Sequence, residues 1–242
     1  MFKNKVVLIT GGSADIGAAT AEQFAKESAI VVIVGRNETK LKEVVQRCVS
    51  LGAQAFAIKA DVSKDAETDT IVKKTVDKYG KIDVLVNNAG ILRESDIQTY
   101  DETLNTNMRA VALLTHIAAP HLIQTKGNIV NISSIAGEYV GTLDFSAYKT
   151  SKAALTHFTK CTAFELAPHG VRVNAVSPGP VPTDIFASAG VEGLLETFNA
   201  TSLLGKIAET KEIADMIIFL ASEKARSITG SNFIIDNGRL LQ

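Results

Sequence analysis

The sequence predicts an α/β fold: a single doubly wound domain in which a parallel sheet carries helices on both faces. Short β-branched runs, nearly continuous in apolar residues, alternate with longer amphipathic stretches along all 242 residues. Runs of that kind are typical of strands buried on both faces of a parallel sheet. Strict alternation requires right-handed crossovers, which place helices on both faces. No linker, repeat or low-complexity stretch interrupts the pattern, so one domain over residues 1–242 is expected.

Strands are expected where the β-branched runs are bounded by Gly, Asn, Asp or Lys. They cover residues 6–10, 30–34, 55–59, 82–87, 128–132, 171–176 and 232–235. Helices are expected from the amphipathic stretches between these runs, at about residues 16–27, 38–51, 66–79, 101–124, 147–168 and 210–222. The stretch at 178–206 has no clear period, and a loop of that length is typical of a lid or a binding loop.

The composition narrows the class of protein before any motif is considered. A formal net charge of -1 and a pI ≈ 6.4 argue against nucleic-acid binding, because a polyanion requires a basic face. Cys48 and Cys161 are far apart, which indicates reduced thiols in the cytoplasm, and no C-x-x-C pair or histidine spacing predicts a metal site. The longest apolar stretch, residues 111–123, is too short and too interrupted to span a membrane. We therefore expect a cytoplasmic protein with no nucleic-acid or membrane partner.

A glycine-rich turn follows the first strand immediately. Its letters, T-G-G-S-A-D-I-G, run from Thr10 to Gly17 and lead into the first helix. In such a turn the free N–H groups and the dipole of the helix N-terminus face the ligand, which favours a bound pyrophosphate. The turn stands at the first strand–helix junction of an alternating chain, where a dinucleotide-binding fold has it.

Asp15 stands where the pattern T-G-x-x-x-G-x-G has its middle glycine. A carboxylate beside a pyrophosphate repels it, so the side chain is expected to point away from the phosphates. Aspartate is a strong N-cap and tolerates left-handed dihedrals better than most residues. We therefore interpret Asp15 as the cap of a helix that begins at Ile16.

The end of the second strand indicates which dinucleotide binds. A fold that selects NAD usually has an acidic residue there, which holds the ribose hydroxyls. This chain has Gly35 followed by Arg36. Arginine binds a 2′-phosphate through paired, charge-assisted hydrogen bonds. The pattern favours NADP(H) over NAD(H), the alternative being a solvated surface arginine.

Tyr148 and Lys152 lie four residues apart on a predicted helix, in Y-K-T-S-K, and so share one face. A neighbouring ammonium lowers the pKa of a phenol, which makes proton exchange with an alcohol or carbonyl oxygen practical. Ser134 closes the fifth strand at the carboxyl edge of the sheet, where its hydroxyl can hold the reacting oxygen. Ser133 is the adjacent alternative, and a surface Tyr–Lys pair is the structural alternative for the helix.

A set of separated motifs occurs along the chain in a fixed order. They are the turn at 10–17, Asp61-Val62, N-N-A-G at 87–90, Asn107 in N-T-N-M, the set Ser134, Tyr148 and Lys152, and P-G-P-V-P-T at 178–183. With these motifs the chain resembles the short-chain dehydrogenase/reductase family from Val6 to Gly238. The resemblance implies a Rossmann-type domain with a seven-stranded parallel sheet in the order 3-2-1-4-5-6-7. It also implies a homo-oligomer, a tetramer or a dimer, formed through the helices near 101–124 and 147–168.

The resemblance gives the catalytic residues their expected roles. Tyr148 is the general acid in reduction and the general base in oxidation, while Lys152 lowers its pKa and hydrogen-bonds the nicotinamide ribose. Ser134 holds the substrate oxygen. Asn107 anchors a water that links Lys152 to solvent, and the alternative is a polar residue that kinks its helix.

The remaining motif residues are expected to bind the cofactor. Those around the phosphates are Gly11, Ser13, Asp15, Ile16 and Gly17. Those along the adenine and its ribose are Asp61, Val62, Asn88, Ala89 and Gly90. Those over the nicotinamide are Pro178, Gly179, Val181 and Thr183. Within these sets Thr183 is expected to bind the carboxamide, and the alternative for Asp61 is a cap of the next element.

The sequence thus predicts hydride transfer between NADP(H) and a ketone or secondary alcohol. The substrate is expected to be a small apolar carbonyl compound, steroid-like or isoprenoid-like, because the loop at 180–206 is rich in apolar side chains. They are Ile185, Phe186, Val191, Leu194, Leu195, Phe198 and Leu203. Packing within the loop or at a dimer contact is the alternative for these residues.

Two other functions stay open. A 3-oxoacyl-carrier-protein reductase of the same family needs a basic rim for its acidic carrier, for which the candidates are Arg93, Lys149 and Lys206. A regulatory protein that binds NADP(H) without turnover fits Asp15, but the intact catalytic set argues against it.

Overall fold

One parallel sheet organises the chain. The computed structural model describes residues 1–94, 96–141, 145–191 and 193–242. The strands are β1 (Val6–Thr10), β2 (Ile30–Gly35), β3 (Ala55–Lys59), β4 (Val84–Asn87), β5 (Asn128–Ile132), β6 (Arg172–Pro178) and β7 (Asn232–Ile235). They lie in the spatial order β3-β2-β1-β4-β5-β6-β7, which confirms the predicted topology. β4 begins two residues later than expected, and β6 runs on to Pro178.

In the described part of the chain, α-helices connect and flank the strands. They are α1 (Asp15–Lys26), α2 (Glu38–Ser50), α3 (Asp65–Tyr79), α4 (Ile97–Leu104), α5 (Ala110–Thr125), α6 (Ser146–Leu166), α7 (Asp184–Ser188), α8 (Leu194–Thr201) and α9 (Thr210–Ala221). The helix expected at 101–124 is two helices, α4 and α5, joined by a π-helical turn at Asn105–Arg109. The stretch expected as a loop at 178–206 contains α7 and α8. None of these helices is both long and apolar enough to cross a membrane.

α4 begins earlier than its apolar pattern predicts, because Asp96 caps it. The Asp96 carboxylate accepts hydrogen bonds from the N–H groups of Gln98 at 2.7 Å and Thr99 at 2.9 Å. The Thr99 hydroxyl accepts the N–H of Asp96 in return, at 3.2 Å. This reciprocal capping box satisfies donors that a helix start otherwise leaves free.

Side chains of β1 alternate between two cores, one on each face of the sheet. Val7 and Ile9 pack in the core that α1, α2 and α9 complete. Val6 and Leu8 pack in the core that α3, α5 and α6 complete. All four are fully buried, and burial of one such side chain contributes about 1.5–3 kcal/mol. Because the strands are parallel, their carboxyl ends share one edge, where ligands bind in open α/β sheets.

Candidate active site

The glycine-rich turn between β1 and α1 has room for no side chain at its glycine positions. Gly11 has a φ of +64°, and a Cβ there would lie 2.8 Å from Asn88 Nδ2. A Cβ at Gly17 would lie 2.1 Å from the carbonyl oxygen of Gly11. α1 follows the turn without a side-chain cap, since its N-cap is Ala14. The N–H groups of its first turn are therefore available to an anion, as a dinucleotide pyrophosphate requires.

Asp15 does not cap α1, so that prediction is wrong. It is the first residue of the helix, in the left-handed conformation with a φ of +51°. Its carboxylate accepts a hydrogen bond from the N–H of Asp184, the first residue of α7, at 2.9 Å. Burial raises the pKa of Asp15, and the hydrogen bond from Asp184 lowers it in part. The residue that was expected to cap its own helix therefore caps a helix of the substrate loop.

Arg36 follows β2 and lines a central cavity, with its side chain 70% exposed. Its Nη1 lies 4.0 Å from Asp61 Oδ2, and an exposed pair at that distance contributes little to stability. Asp61 mainly closes a local turn, because its Oδ1 accepts the N–H and the hydroxyl of Ser63 at 3.0 and 2.8 Å. Neither Asp61 nor Val62 lines the cavity, and Val62 packs against a core. Their place beside an adenine stays a prediction.

Asn88 ties the end of β4 to the glycine-rich turn. Its Nδ2 donates to the carbonyl oxygens of Thr10 at 3.0 Å and Gly11 at 3.2 Å. The Thr10 hydroxyl accepts the N–H groups of Asn88 at 3.0 Å and Ala89 at 3.1 Å. These four bonds fix the loops after β1 and β4 relative to each other. Asn88, Ala89 and Gly90 thereby enter the cavity wall together.

Asn107 is fully buried in the π-helical turn between α4 and α5. Its Oδ1 accepts the N–H of Ile91 at 2.8 Å, and its Nδ2 donates to the Ile91 carbonyl oxygen at 2.9 Å. A Cβ on Gly90 would lie 3.3 Å from Asn107 Oδ1 and 3.5 Å from Lys152 Nζ, so both side chains lie close to that glycine. π-helical turns frequently occur at functional sites. The helix changes its geometry at Asn107, and the side chain lies near Lys152.

The two adjacent serines after β5 differ in their hydrogen-bond partners. The buried Ser133 hydroxyl donates to the Lys152 carbonyl oxygen at 2.9 Å and lies 2.8 Å from Thr156 Oγ1, so it fastens β5 to α6. The Ser134 hydroxyl accepts the N–H of Ala136 at 3.1 Å and hydrogen-bonds Tyr148. Ser134 is therefore the serine whose hydroxyl lies beside the tyrosine.

Tyr148 and Lys152 lie one turn apart on α6, and both line the cavity. Lys152 Nζ donates to the Ile132 carbonyl oxygen at 2.8 Å and lies 5.5 Å from the centroid of the Tyr148 ring. Burial lowers the pKa of Lys152 to about 8. Burial raises the pKa of Tyr148, and the hydrogen bond from Ser134 lowers it in part. Lys152 is not among the groups that shift the Tyr148 pKa, so the lowering of that pKa by Lys152 stays a prediction.

A cavity of about 570 Å³ brings most of the predicted residues together. Its wall includes Gly11, Asp15, Ile16, Arg36, Asn88, Ala89, Gly90, Ser134, Tyr148, Lys152, Pro178, Gly179, Val181 and Thr183. The predicted residues outside its described wall are Ser13, Gly17, Asp61, Val62 and Asn107. The uncapped start of α1, the glycines and the exposed Arg36 fit a nicotinamide dinucleotide. Among the described residues no group of His, Cys, Asp or Glu side chains could hold a metal ion.

The substrate loop contributes an apolar part of the wall. Four of the expected loop side chains line the cavity, namely Ile185, Phe186, Leu194 and Phe198. The other three, Val191, Leu195 and Leu203, do not. Of the candidates for a basic rim, Arg93 and Lys149 line the cavity, whereas Lys206 pairs with Glu212 at 2.9 Å.

Several wall residues were not predicted from the sequence, among them Tyr139, Phe145 and Arg239. Tyr139 and Phe145 lie between β5 and α6, and Arg239 follows β7. No local pattern distinguishes them, because the loops that carry them meet only after the sheet has formed. The one signal for Arg239 in the sequence is its position three residues after Asp236. Both residues follow the last strand, at the carboxyl edge of the sheet.

Comparisons with known proteins agree with this geometry. The family described as Enoyl-(Acyl carrier protein) reductase matches residues 12–239. The chain is 36% identical to a 3-oxoacyl-[acyl-carrier-protein] reductase FabG from Thermotoga maritima, over 99% of both chains. It also matches the solved structure of a short-chain dehydrogenase/reductase of unknown function from Caenorhabditis elegans with cofactor. That match has a TM-score of 0.95 and 37% identity and covers 99% of this chain and 96% of the other.

A second solved structure, a short chain dehydrogenase from Burkholderia cenocepacia in complex with NADP, is 33% identical with a TM-score of 0.93. The match covers 99% of both chains. Likeness in sequence and in fold thus extends over nearly the whole chain. The chain belongs to the short-chain dehydrogenase/reductase family and is an oxidoreductase of CH–OH and C=O groups.

Proposed function

We propose that the chain transfers a hydride between NADP(H) and a ketone or secondary alcohol, with Tyr148 as the acid/base residue. The observation that carries this proposal is the hydrogen bond between Ser134 and Tyr148 at the wall of a cavity that also contains Lys152. Two hydroxyls there can hold one carbonyl oxygen, and one of them can give it a proton.

The electrostatics of the site suit reduction. Because burial raises the pKa of Tyr148, the phenol keeps its proton near neutral pH and can act as the acid. The ammonium of Lys152, buried below it, can return a proton to the site or stabilise the phenolate that forms. Lys152 would hold the nicotinamide ribose and Thr183 the carboxamide of a bound NADPH, which would supply the hydride.

Arg36 supports the choice of NADP(H). It lines the cavity with an exposed guanidinium, and the carboxylate of Asp61, at 4.0 Å, lies beyond hydrogen-bond distance of it. Other cations nearby are already paired, since Lys40 contacts Asp184 at 2.7 Å and Lys42 contacts Glu38 at 2.9 Å. The Burkholderia relative, at 33% identity, was solved with NADP.

Apolar side chains from α7 and α8 support a mainly apolar carbonyl substrate, steroid-like or isoprenoid-like. The test is oxidation of NADPH and NADH, followed by absorbance, with a panel of steroid ketones, quinones, isoprenoid aldehydes and acetoacetyl thioesters. We expect NADPH-dependent reduction of the apolar ketones. Tight NADPH binding without turnover of any member would overturn the proposal and favour a regulatory protein.

A 3-oxoacyl-carrier-protein reductase is the second candidate, favoured by the relative from Thermotoga maritima. Of the three residues expected to form a basic rim, Arg93 and Lys149 line the cavity, whereas Lys206 pairs with Glu212. The same acetoacetyl group offered on an acidic carrier protein and on a small thiol distinguishes the two candidates. A strong preference for the carrier protein would favour this second function.

The cytoplasmic location and the homo-oligomer, a tetramer or a dimer, also belong to this proposal. On α6, Phe164 is 84% exposed and offers an apolar surface to a second copy of this chain. An exposed aromatic on a long helix supports an interface between copies of this chain. A single domain over residues 1–242 is part of the same proposal, since both cores pack on one sheet.

A further inference from the structure

Arg239 reaches the catalytic cavity from the C-terminal segment of the chain. It begins a 3₁₀ turn at Arg239–Leu241, which follows β7. The carboxylate of Asp236 holds this turn, accepting the N–H groups of Gly238 at 2.9 Å and Leu240 at 2.8 Å. A Cβ on Gly179 would lie 2.8 Å from Asp236 Cα, so the turn packs against the segment over the nicotinamide site. A capped and packed turn therefore positions Arg239.

Two aromatic rings and a hydroxyl hold the guanidinium of Arg239. Its Cζ lies 4.6 Å from the centroid of the Phe198 ring and 5.9 Å from that of the Tyr139 ring. Its Nη1 donates to Thr201 Oγ1 at 2.5 Å. Stacking on aromatic faces restricts a guanidinium to a plane, which preorganises its remaining donors for a planar partner.

The charge of Arg239 has no counterion among the residues that the structure describes. No carboxylate there forms an ion pair with it, because Asp236 is committed to backbone N–H groups. Its Nε and Nη2 donors likewise have no acceptor in the described part of the chain. The acidic side chains of the described cavity wall are Asp15 and Asp184, and Asp184 already pairs with Lys40 at 2.7 Å.

Apolar side chains of the same cavity wall, Ile185, Phe186, Leu194 and Phe198, come from the substrate loop, and Arg239 contacts Phe198 directly. We infer that the substrate of the proposed reductase is an oxo acid, with a ketone at Tyr148, an apolar body and a carboxylate held by Arg239. A guanidinium binds a carboxylate through two parallel hydrogen bonds. One guanidinium fixed between aromatic rings matches a monoanionic carboxylate better than a phosphate, which needs several donors. Arg93, which lines the same cavity, already donates to the carbonyl oxygens of Leu92 and Ser188. This inference rests on the proposed function.

The test compares a series of linear oxo acids of increasing length, each beside its methyl ester, in NADPH-dependent reduction. For the acid of matching length we expect kcat/KM to exceed that of its ester by about tenfold or more, as charge-assisted hydrogen bonds imply. In Arg239→Ala this preference disappears, because the KM for the acid rises by a much larger factor than the KM for the ester. Arg239→Lys should recover only part of the preference, because lysine lacks the planar fork.

Arg226→Ala is the matched control, since it removes an arginine that does not line the cavity. It should leave the acid-to-ester ratio unchanged. Calorimetric titration of the preferred acid and its ester into wild-type and Arg239→Ala protein, both loaded with NADP, gives a readout independent of turnover. Thermal unfolding checks that each variant is folded.

The outcomes separate the inference from the proposed function. Equal reduction of acid and ester, or equal loss of both in Arg239→Ala, overturns the carboxylate site but keeps the reductase. If no ketone is reduced, the proposed function fails. Calorimetric titration alone then tests whether Arg239 binds the carboxylate. Acid binding that exceeds ester binding and depends on Arg239 then supports the site, and acid binding that Arg239→Ala leaves unchanged overturns it.

Discussion

The carboxylate of Asp15 accepts the backbone N–H of Asp184 at 2.9 Å, and this one bond joins the cofactor turn to the substrate loop. The side chain of Asp184 continues the connection, because its Oδ2 lies 2.7 Å from Lys40 Nζ on α2. Three segments that belong to different strand–helix junctions therefore meet at α7. This aspartate therefore couples the glycine-rich turn, the proposed site of the cofactor phosphates, to a wall of the cavity.

Asp15→Gly should tighten NADPH binding and weaken substrate binding. Removing the carboxylate beside the pyrophosphate site should lower the Kd for NADPH by about tenfold. Losing the bond to Asp184 frees α7, so the KM for the carbonyl substrate should rise about fivefold, the equivalent of one hydrogen bond. Fluorescence titration and steady-state kinetics measure the two effects.

Asp15→Asn is the matched control, because its amide oxygen can still accept the N–H of Asp184. It should reproduce the gain in NADPH affinity and leave the substrate KM nearly unchanged. If the glycine and asparagine variants change both constants alike, Asp15 does not couple the two sites.

Arg36→Ala should abolish the strong preference for NADPH over NADH. The KM for NADPH should rise by about 10–100-fold, as loss of charge-assisted hydrogen bonds to a phosphate implies, while that for NADH changes little. Arg47→Ala on α2 is the control, since Arg47 pairs with Glu22 and does not line the cavity. Equal losses with both dinucleotides would contradict a 2′-phosphate site at Arg36.

Ser134→Ala and Ser133→Ala should have opposite consequences, although the residues are neighbours. Ser134→Ala should lower kcat by about 10²–10³-fold with little change in stability, because it removes a group placed to hold the reacting oxygen. Ser133→Ala should instead lower the free energy of unfolding by about 1 kcal/mol, since it loses the bond to the Lys152 carbonyl oxygen. Chemical denaturation and steady-state kinetics on both variants decide the assignment, which an inactive but stable Ser133→Ala variant would reverse.

The rate of reduction should fall as the pH rises through about 8, the pKa to which burial lowers Lys152. Below that pH the amine is protonated and can donate; above it the neutral amine cannot. Tyr148 stays protonated in the same range, because burial raises its pKa. The measurement is kcat/KM from about pH 6 to about pH 10, a range that brackets the titration of Lys152. In Lys152→Arg the fall near pH 8 should vanish, since arginine keeps its proton, and a fall that persists would assign it to another group.

Phe164→Glu should reduce the assembly to a smaller species in solution. A charge in the middle of an apolar interface between copies of α6 costs far more than the same charge in water. Val49→Glu on α2 is the control, because Val49 is exposed to a comparable degree on a different helix. Light scattering after size exclusion measures the masses. A wild-type monomer, or an unchanged mass in Phe164→Glu, would contradict an interface at this residue.

Local patterns explain what could be predicted from the sequence. The strands were visible because β-branched runs mark buried parallel strands, and Tyr148 and Lys152 because a spacing of four fixes one helix face. The glycine-rich turn was visible because backbone geometry leaves no choice of residue at Gly11 and Gly17. In each case the residues that form the pattern lie within a few positions of one another in the sequence.

What could not be predicted depends on partners distant in the chain. Asp15 finds its N–H donor 169 positions away, so local propensity pointed to a cap on its own helix instead. α7 has five residues, too few to show an apolar period. The burial that raises the Tyr148 pKa comes from the assembled cavity, which the spacing to Lys152 does not reveal.

The glycine-rich turn has a further consequence for how this chain can evolve. Gly11, Gly12 and Gly17 are sterically closed, since a Cβ at any of them would collide with neighbouring atoms. Position 15 is open: it holds an aspartate at a φ of +51°, a conformation that aspartate and asparagine tolerate better than most residues. Mutation can therefore change the side chain at position 15, and with it the link to α7, while the closed glycines at 11, 12 and 17 preserve the shape of the turn.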